Sequence, residues 1–252
     1  MRLVQPPPPH GAPIPTGSNQ SGGPTANVPA PASRLAHPDD AHRARVTDVL
    51  STGRFTTYLR YAGGVDLRAW AAYAWNVRVA AELLQVFCHA EVALRNAVDR
   101  ALSAAFGTAW PYTNAFVYTF GVQEQQEFLT ARGKLERRLK MAPLPTGDFV
   151  AGQTLAFWNG LLVTRYRARV WHTQFPLAFP GAVNGETYKT VRDAAEALRL
   201  LRNRIAHHEP LLSVNVADAY ANALQLVRWV SPEAADWIRA EWPGSQDLTG
   251  PP

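Results

Sequence analysis

The sequence predicts an all-α fold, and three observations predict it. Apolar residues recur at helical spacing over long stretches between residues 41 and 242. No stretch alternates apolar and polar residues between hairpin turns, so no strand pattern competes. The strong breakers, Gly53, Gly63-Gly64, Gly107, Pro143-Leu144-Pro145 and Pro210, fall between the periodic stretches.

Residues 1–38 stand apart. They hold 10 of the 20 prolines, including Pro6-Pro7-Pro8-Pro9, and little that could form a core. This tail is expected to be disordered with polyproline II character. The domain then covers residues 39–243, about 200 residues, enough for one sizeable core. Residues 244–252 are expected to fray.

Pro38-Asp39-Asp40 is a helix start with acids in its first turn, followed by Ala41 to Leu50. Arg54 to Tyr61 is a second short helix. Val65 to Phe106 runs 42 residues without Gly or Pro. At about 1.5 Å per residue it would exceed roughly 60 Å, so a break or kink is expected at Trp75-Asn76. Its second part places Ala80, Leu83, Leu84, Phe87, Cys88, Glu91, Leu94, Arg95 and Val98 along one side. Gly107 to Gly121 is an aromatic loop expected to pack over a helix end. Val122 to Met141 is a polar helix with Arg137, Arg138 and Lys140 in its last turn, complementing the helix dipole.

Phe149 to Phe175 supplies core candidates Phe157, Trp158, Leu161, Leu162, Trp171 and Phe175. Arg165, Arg167 and Arg169 alternate and so cannot share one helix face. Residues 176–185 read as a loop. Glu186 to His208 is the next helix, with Val191, Ala194, Ala195, Leu198, Leu201 and Ile205 on its buried side. Val216 to Val230 follows. Ser231-Pro232-Glu233 starts the last helix, with serine at the N-cap and proline at N1.

The composition narrows function. The chain has 22 Arg and 3 Lys and a net charge of +5. Residues 45–243 carry 22 basic and 17 acidic side chains, a modest excess that permits an anionic partner such as RNA. The single cysteine, Cys88, excludes a disulfide framework and a Cys-rich zinc site, and is expected in the core. No phosphate-cradling Gly-x-Gly-x-x-Gly or Gly-Lys-Ser/Thr occurs, nor His-Glu-x-x-His. A metal site at His207, His208 and Glu209 would need distant partners such as His172 or His89, so neither metal nor cofactor is expected. No apolar run approaches about 18 residues and no secretory h-region follows Arg2, so the expected location is cytoplasmic, without a membrane partner.

Chemistry concentrates in Leu198 to Pro210, where Arg199, Arg202, Asn203, Arg204, His207, His208 and Glu209 crowd a helix end. Pro210 stops the helix near His208 or Glu209. A helix C-terminus favours imidazolium, and histidine already titrates near neutrality. Asn203 is four residues before His207, within reach of its ring. Arg202 is five before, roughly 140° around the helix. A phosphate at that edge could be clamped by Arg202 while His207 moved a proton. The same residues also suit a plain dipole-complementing helix end. Arg202 borders the apolar stripe and should be half-covered. Glu91 and Arg95 are an i, i+4 pair that either faces solvent or shares Arg202's cleft.

Arg202-Asn203-x-x-x-His207 resembles the Arg-x4–6-His motif of the HEPN superfamily. Around it, Arg54-Phe-Thr-Thr-Tyr-Leu, the stretch from Leu67 ending in Tyr-Ala-Trp-Asn76, Glu91-Val-Ala-Leu-Arg-Asn-Ala-Val-Asp-Arg-Ala-Leu102, Phe157-Trp158 and Leu201 to Pro210 occur in the order seen in Abi-like abortive-infection proteins of the AbiD/AbiF type. The resemblance covers residues 45–230. It implies a HEPN-like helical bundle with additional helices, and a homodimer whose two motifs form one composite site. It further implies a metal-independent endoribonuclease acting in phage defence through 2′-hydroxyl attack. In that scheme Arg202 holds the scissile phosphate, His207 is the general base or acid, and Asn203 orients one of them. Glu91, Arg95, Asn96, Arg199 and His208 are further cleft or RNA-binding residues. An antitoxin or a phage-derived trigger would be the other partner. Family members paired with a nucleotidyltransferase antitoxin often carry tyrosine two residues after the histidine; Glu209 stands there instead. The alternative is a non-catalytic HEPN module that binds RNA or a protein as sensor or scaffold.

Overall fold

The computed structural model describes residues 40–244, 248 and 250–252. The Pro-rich segment 1–38 therefore lies outside the described residues. Among the described residues every regular element is helical, as the periodicity predicts. In chain order they are α1 (Asp40–Leu50), α2 (Thr52–Tyr61), α3 (Asp66–Phe106), α4 (Asn114–Val117), α5 (Val122–Leu139), α6 (Thr146–Ala151), α7 (Leu155–Leu161), α8 (His172–Ala178), α9 (Tyr188–Ala206), α10 (Val216–Val230) and α11 (Pro232–Glu241). None is long and apolar enough to cross a membrane.

α3 is the element on which the rest is assembled, and the break expected at Trp75-Asn76 does not occur. Its 41 residues, about 60 Å at about 1.5 Å per residue, serve two clusters in series. Near its start, Ala69, Trp70 and Ala72 pack with Phe55, Tyr58 and Ala62 from the α2 segment. From Trp75 to Leu102 its buried stripe enters the main core. Each half finds its own cover, so the helix need not bend to bury both.

α10 packs most extensively along α3, and α7, α8 and α9 also lie against it. Local caps set many of the ends. Asn215 Oδ1 accepts the Asp218 N–H at 3.2 Å, and Ser231 Oγ accepts the Ala234 N–H at 3.1 Å, one turn into α10 and α11. Thr187 N–H donates to Thr190 Oγ1 at 3.2 Å at the start of α9.

One connecting stretch is more ordered than expected. Within 107–121 a 3-10 turn, Trp110–Tyr112, precedes α4. Trp110 and Phe116 are fully buried and meet edge-on at 4.7 Å, while Trp110 Nε1 donates to Asp99 of α3 at 2.7 Å. The aromatics thus cover the end of α3, except Tyr118, which is exposed. Residues 149–175 divide into α6, α7, a 3-10 turn, a π-helical turn (Arg167–Trp171) and α8. α8 passes through Pro176, whose missing N–H forfeits only the first hydrogen bond of that short helix. Beyond α11, Pro251 O accepts from Tyr61 Oη at 3.3 Å and Pro252 O from Arg68 Nε at 3.4 Å.

Candidate functional site

The site is built on how α9 ends. Val191, Ala195, Leu198 and Ile205 are buried along one side of α9, which fixes its rotation against the core. Ala206 is the last helical residue, two before the earliest expected end. His207 is the C-cap, and its N–H donates to Asn203 O at 2.9 Å. His208 then takes φ +55°, the left-handed conformation usually left to glycine. Its N–H reaches Ile205 O, and the Glu209 N–H reaches Arg204 O, both at 2.9 Å. This crossed pair of bonds is a Schellman corner, which satisfies carbonyls the helix end would otherwise leave open.

Arg204 fastens the corner. Its Nη2 donates to Pro210 O at 2.6 Å, and its Nε lies 3.5 Å from Glu209 Oε2. The motif marks Arg204 and Glu209 without assigning them a task; their five-residue separation across a helix stop is the signal for this clamp. On the outer side of the corner, Arg204, Glu209, Pro210, Leu212 and Ser213 face Thr57, Arg60 and Tyr61 across a cleft of about 500 Å³.

Arg202 is half-exposed, as its place beside the stripe predicts, with 44% of its side chain accessible. Its Nε stands 3.9 Å from Glu91 Oε2 of α3, and Glu91 is the more covered partner. Glu91 thus faces Arg202, and the alternative i, i+4 pair with Arg95 does not form among the described residues. A partly exposed pair at this separation is worth about 0–1 kcal/mol, so Arg202 can exchange Glu91 for another anion at little cost.

The other expected residues divide. His207 and His208 are both exposed at the surface beside Arg202 in the chain. Asn203 is half-buried, and it meets His207 through its backbone carbonyl. Among the described residues no side chain hydrogen-bonds the His207 ring, so the contact expected from Asn203 is absent. Arg95 is half-buried with an Nε that lacks a hydrogen-bond partner, and Asn96 is exposed. Arg199 is engaged elsewhere. Its Nε and Nη2 donate to the Glu196 carboxylate at 2.8 and 2.5 Å. The Arg199 hydrogen bonds hold the Glu196 carboxyl below its ordinary range, and Asn159 Nδ2 also donates to it, at 2.5 Å.

Cys88 is exposed, against expectation. So are Val77, Leu84 and Val92 on α3, which lie at helical spacing with Cys88. The side of α3 that packs centres on Leu83, Val86, Phe87 and Ala90, whereas the strip of Val77, Leu84, Cys88 and Val92 is exposed beside Glu91. Among the described residues no three His, Cys, Asp or Glu side chains are grouped to hold a metal ion. His89 is instead packed with Trp242 and Trp237, at 4.7 and 6.0 Å between ring centres. No protein-family model matches the chain, and no curated protein or solved structure matches it either.

Proposed function

We propose that this protein is a metal-independent endoribonuclease of the abortive-infection type, with Arg202 and His207 at its reactive centre. One observation carries the reading: α9 ends in a corner that exposes His207 and His208, with Arg202 five residues before His207 and only loosely paired to Glu91. In the proposed reaction Arg202 exchanges Glu91 for the scissile phosphate and stabilises the charge that builds on its oxygens. His207 takes the 2′-hydroxyl proton or protonates the leaving 5′-oxygen. The products are a cyclic phosphate and a 5′-hydroxyl, so water is not a reactant in the step. Asn203, half-buried beside His207, binds the phosphate.

Homodimerisation belongs to the same proposal. The apolar strip of Val77, Leu84, Cys88 and Val92 borders Glu91, and a second copy seated there would bring two α9 ends towards one cleft. RNA is the proposed substrate, and an antitoxin or a phage-derived trigger the proposed regulator.

The test is induced expression of wild type beside His207→Ala, with growth followed and total RNA separated on a gel. The reading expects arrest and new RNA fragments with wild type only, under phage challenge if not before. Equal arrest with intact RNA in both strains would remove His207 from the chemistry and leave a non-catalytic binding module.

A further inference from the structure

Asn76 is, among the described residues, the one buried side chain that is neither apolar nor aromatic, at 6% exposure in the interior of α3. Its Oδ1 accepts the Leu211 N–H at 2.6 Å, joining positions 135 apart. Leu211 is fully buried and directly follows Pro210, where the chain leaves the Schellman corner. A buried amide and a buried backbone N–H each cost stability unless bonded. Past the helix stop no α9 carbonyl bonds this N–H, and one hydrogen bond from α3 satisfies it.

We infer that Asn76 is a positioning residue for the Arg–His end of α9. It holds the chain at Leu211 while Arg204 holds it at Pro210, so the corner is fastened from both sides. Among the described residues neither histidine ring makes a hydrogen bond of its own. The placement of His207 and His208 is therefore inherited from the backbone that Asn76 and Arg204 pin. The inference rests on the corner's geometry; only its consequence for cleavage rests on the proposed function.

The test compares full-length wild type, Asn76→Leu, which removes the acceptor and keeps the branched outline, and Asn76→Asp, which keeps an acceptor oxygen. Amide hydrogen exchange and the imidazole Cε1 proton signals are read without RNA. In Asn76→Leu the Leu211 amide should exchange about tenfold faster, the factor expected from one lost hydrogen bond, while amides of residues 191–198 keep their protection. The signals of His207 and His208 should move in Asn76→Leu and return in Asn76→Asp. Unmoved histidine signals beside a deprotected Leu211 would overturn the inference, as would signals that stay displaced in a folded Asn76→Asp with Leu211 protected. If Asn76→Leu does not fold, Asn76→Ala is read the same way; if both unfold, Asn76 supports the fold at large and the local role is refuted. With RNA, Asn76→Leu should lower the cleavage rate at saturation and leave RNA affinity unchanged. A wild type that cleaves no RNA counts against the proposed function alone, since exchange and histidine signals are read independently.

Discussion

Arg199 and Arg202 stand one turn apart on α9 and meet opposite circumstances. Arg199 is held in a two-pronged bond by Glu196, three residues back on its own helix, and Asn159 braces that carboxylate. Among the described residues Arg202 pairs with Glu91 alone, on another helix and 3.9 Å away. A guanidinium held through two donors by a neighbouring carboxylate must break that pairing to turn towards a substrate. One with a single distant counter-ion can trade it for a phosphate at little cost. Placement, not residue type, distinguishes the two.

The widest gap between them should appear in cleavage. Arg202→Ala is expected to lower RNA cleavage by about 10²–10³, the size of losing one donor to a developing oxyanion. Arg199→Ala should stay within about fivefold, the worth of an exposed ion pair. Single-turnover rates on one RNA decide this, and equal losses would erase the distinction.

A smaller effect concerns the corner both arginines lead into. His208 holds a left-handed conformation that costs a side-chain-bearing residue roughly 1–2 kcal/mol, and glycine adopts it freely. His208→Gly should therefore raise the melting temperature by about 2–4 °C while cleavage persists. A drop in melting temperature would mean that the His208 side chain stabilises the corner through contacts that outweigh its strain.

The smallest effect is the pH dependence of the Arg199 pair. Arg199 depresses the Glu196 pKa, so the pair's stabilisation is fully present above the unfolded pKa of a glutamate. It is lost as pH falls through the lower, folded value. Melting curves of wild type and Glu196→Gln should converge as pH falls from neutral to below the ordinary glutamate range. A gap that stays constant over that range would show that the carboxylate's charge contributes nothing.

Much of α9 was legible in the sequence. The spacing of Val191, Ala195, Leu198 and Ile205 identified its buried side and placed Arg202 at the edge of that side, where it is found half-exposed. Its end comes earlier than Pro210 suggests. Pro210 marks only where a helix can no longer continue, whereas the corner needs several residues of its own, with His208 left-handed ahead of the proline. On α3 adjacent apolar residues part ways. Leu84 and Cys88 are apolar and next to Leu83 and Phe87, so composition assigns all four to one side. Which of them is covered depends on where α9 and α10 lie. Glu91 had a sequence-local partner in Arg95, and only the approach of α9 gave it Arg202.

The sequence by itself determined the helical class, the buried side of α9 and the helix start at Ser231. Each depends on interactions within a turn or two, between residues that are neighbours in the chain however the rest folds. The tertiary structure alone decided that α3 runs unbroken, that Glu91 faces Arg202 and that Asn76 holds Leu211. Those depend on residues brought together from distant parts of the chain, and no local spacing encodes which carboxylate or amide will arrive.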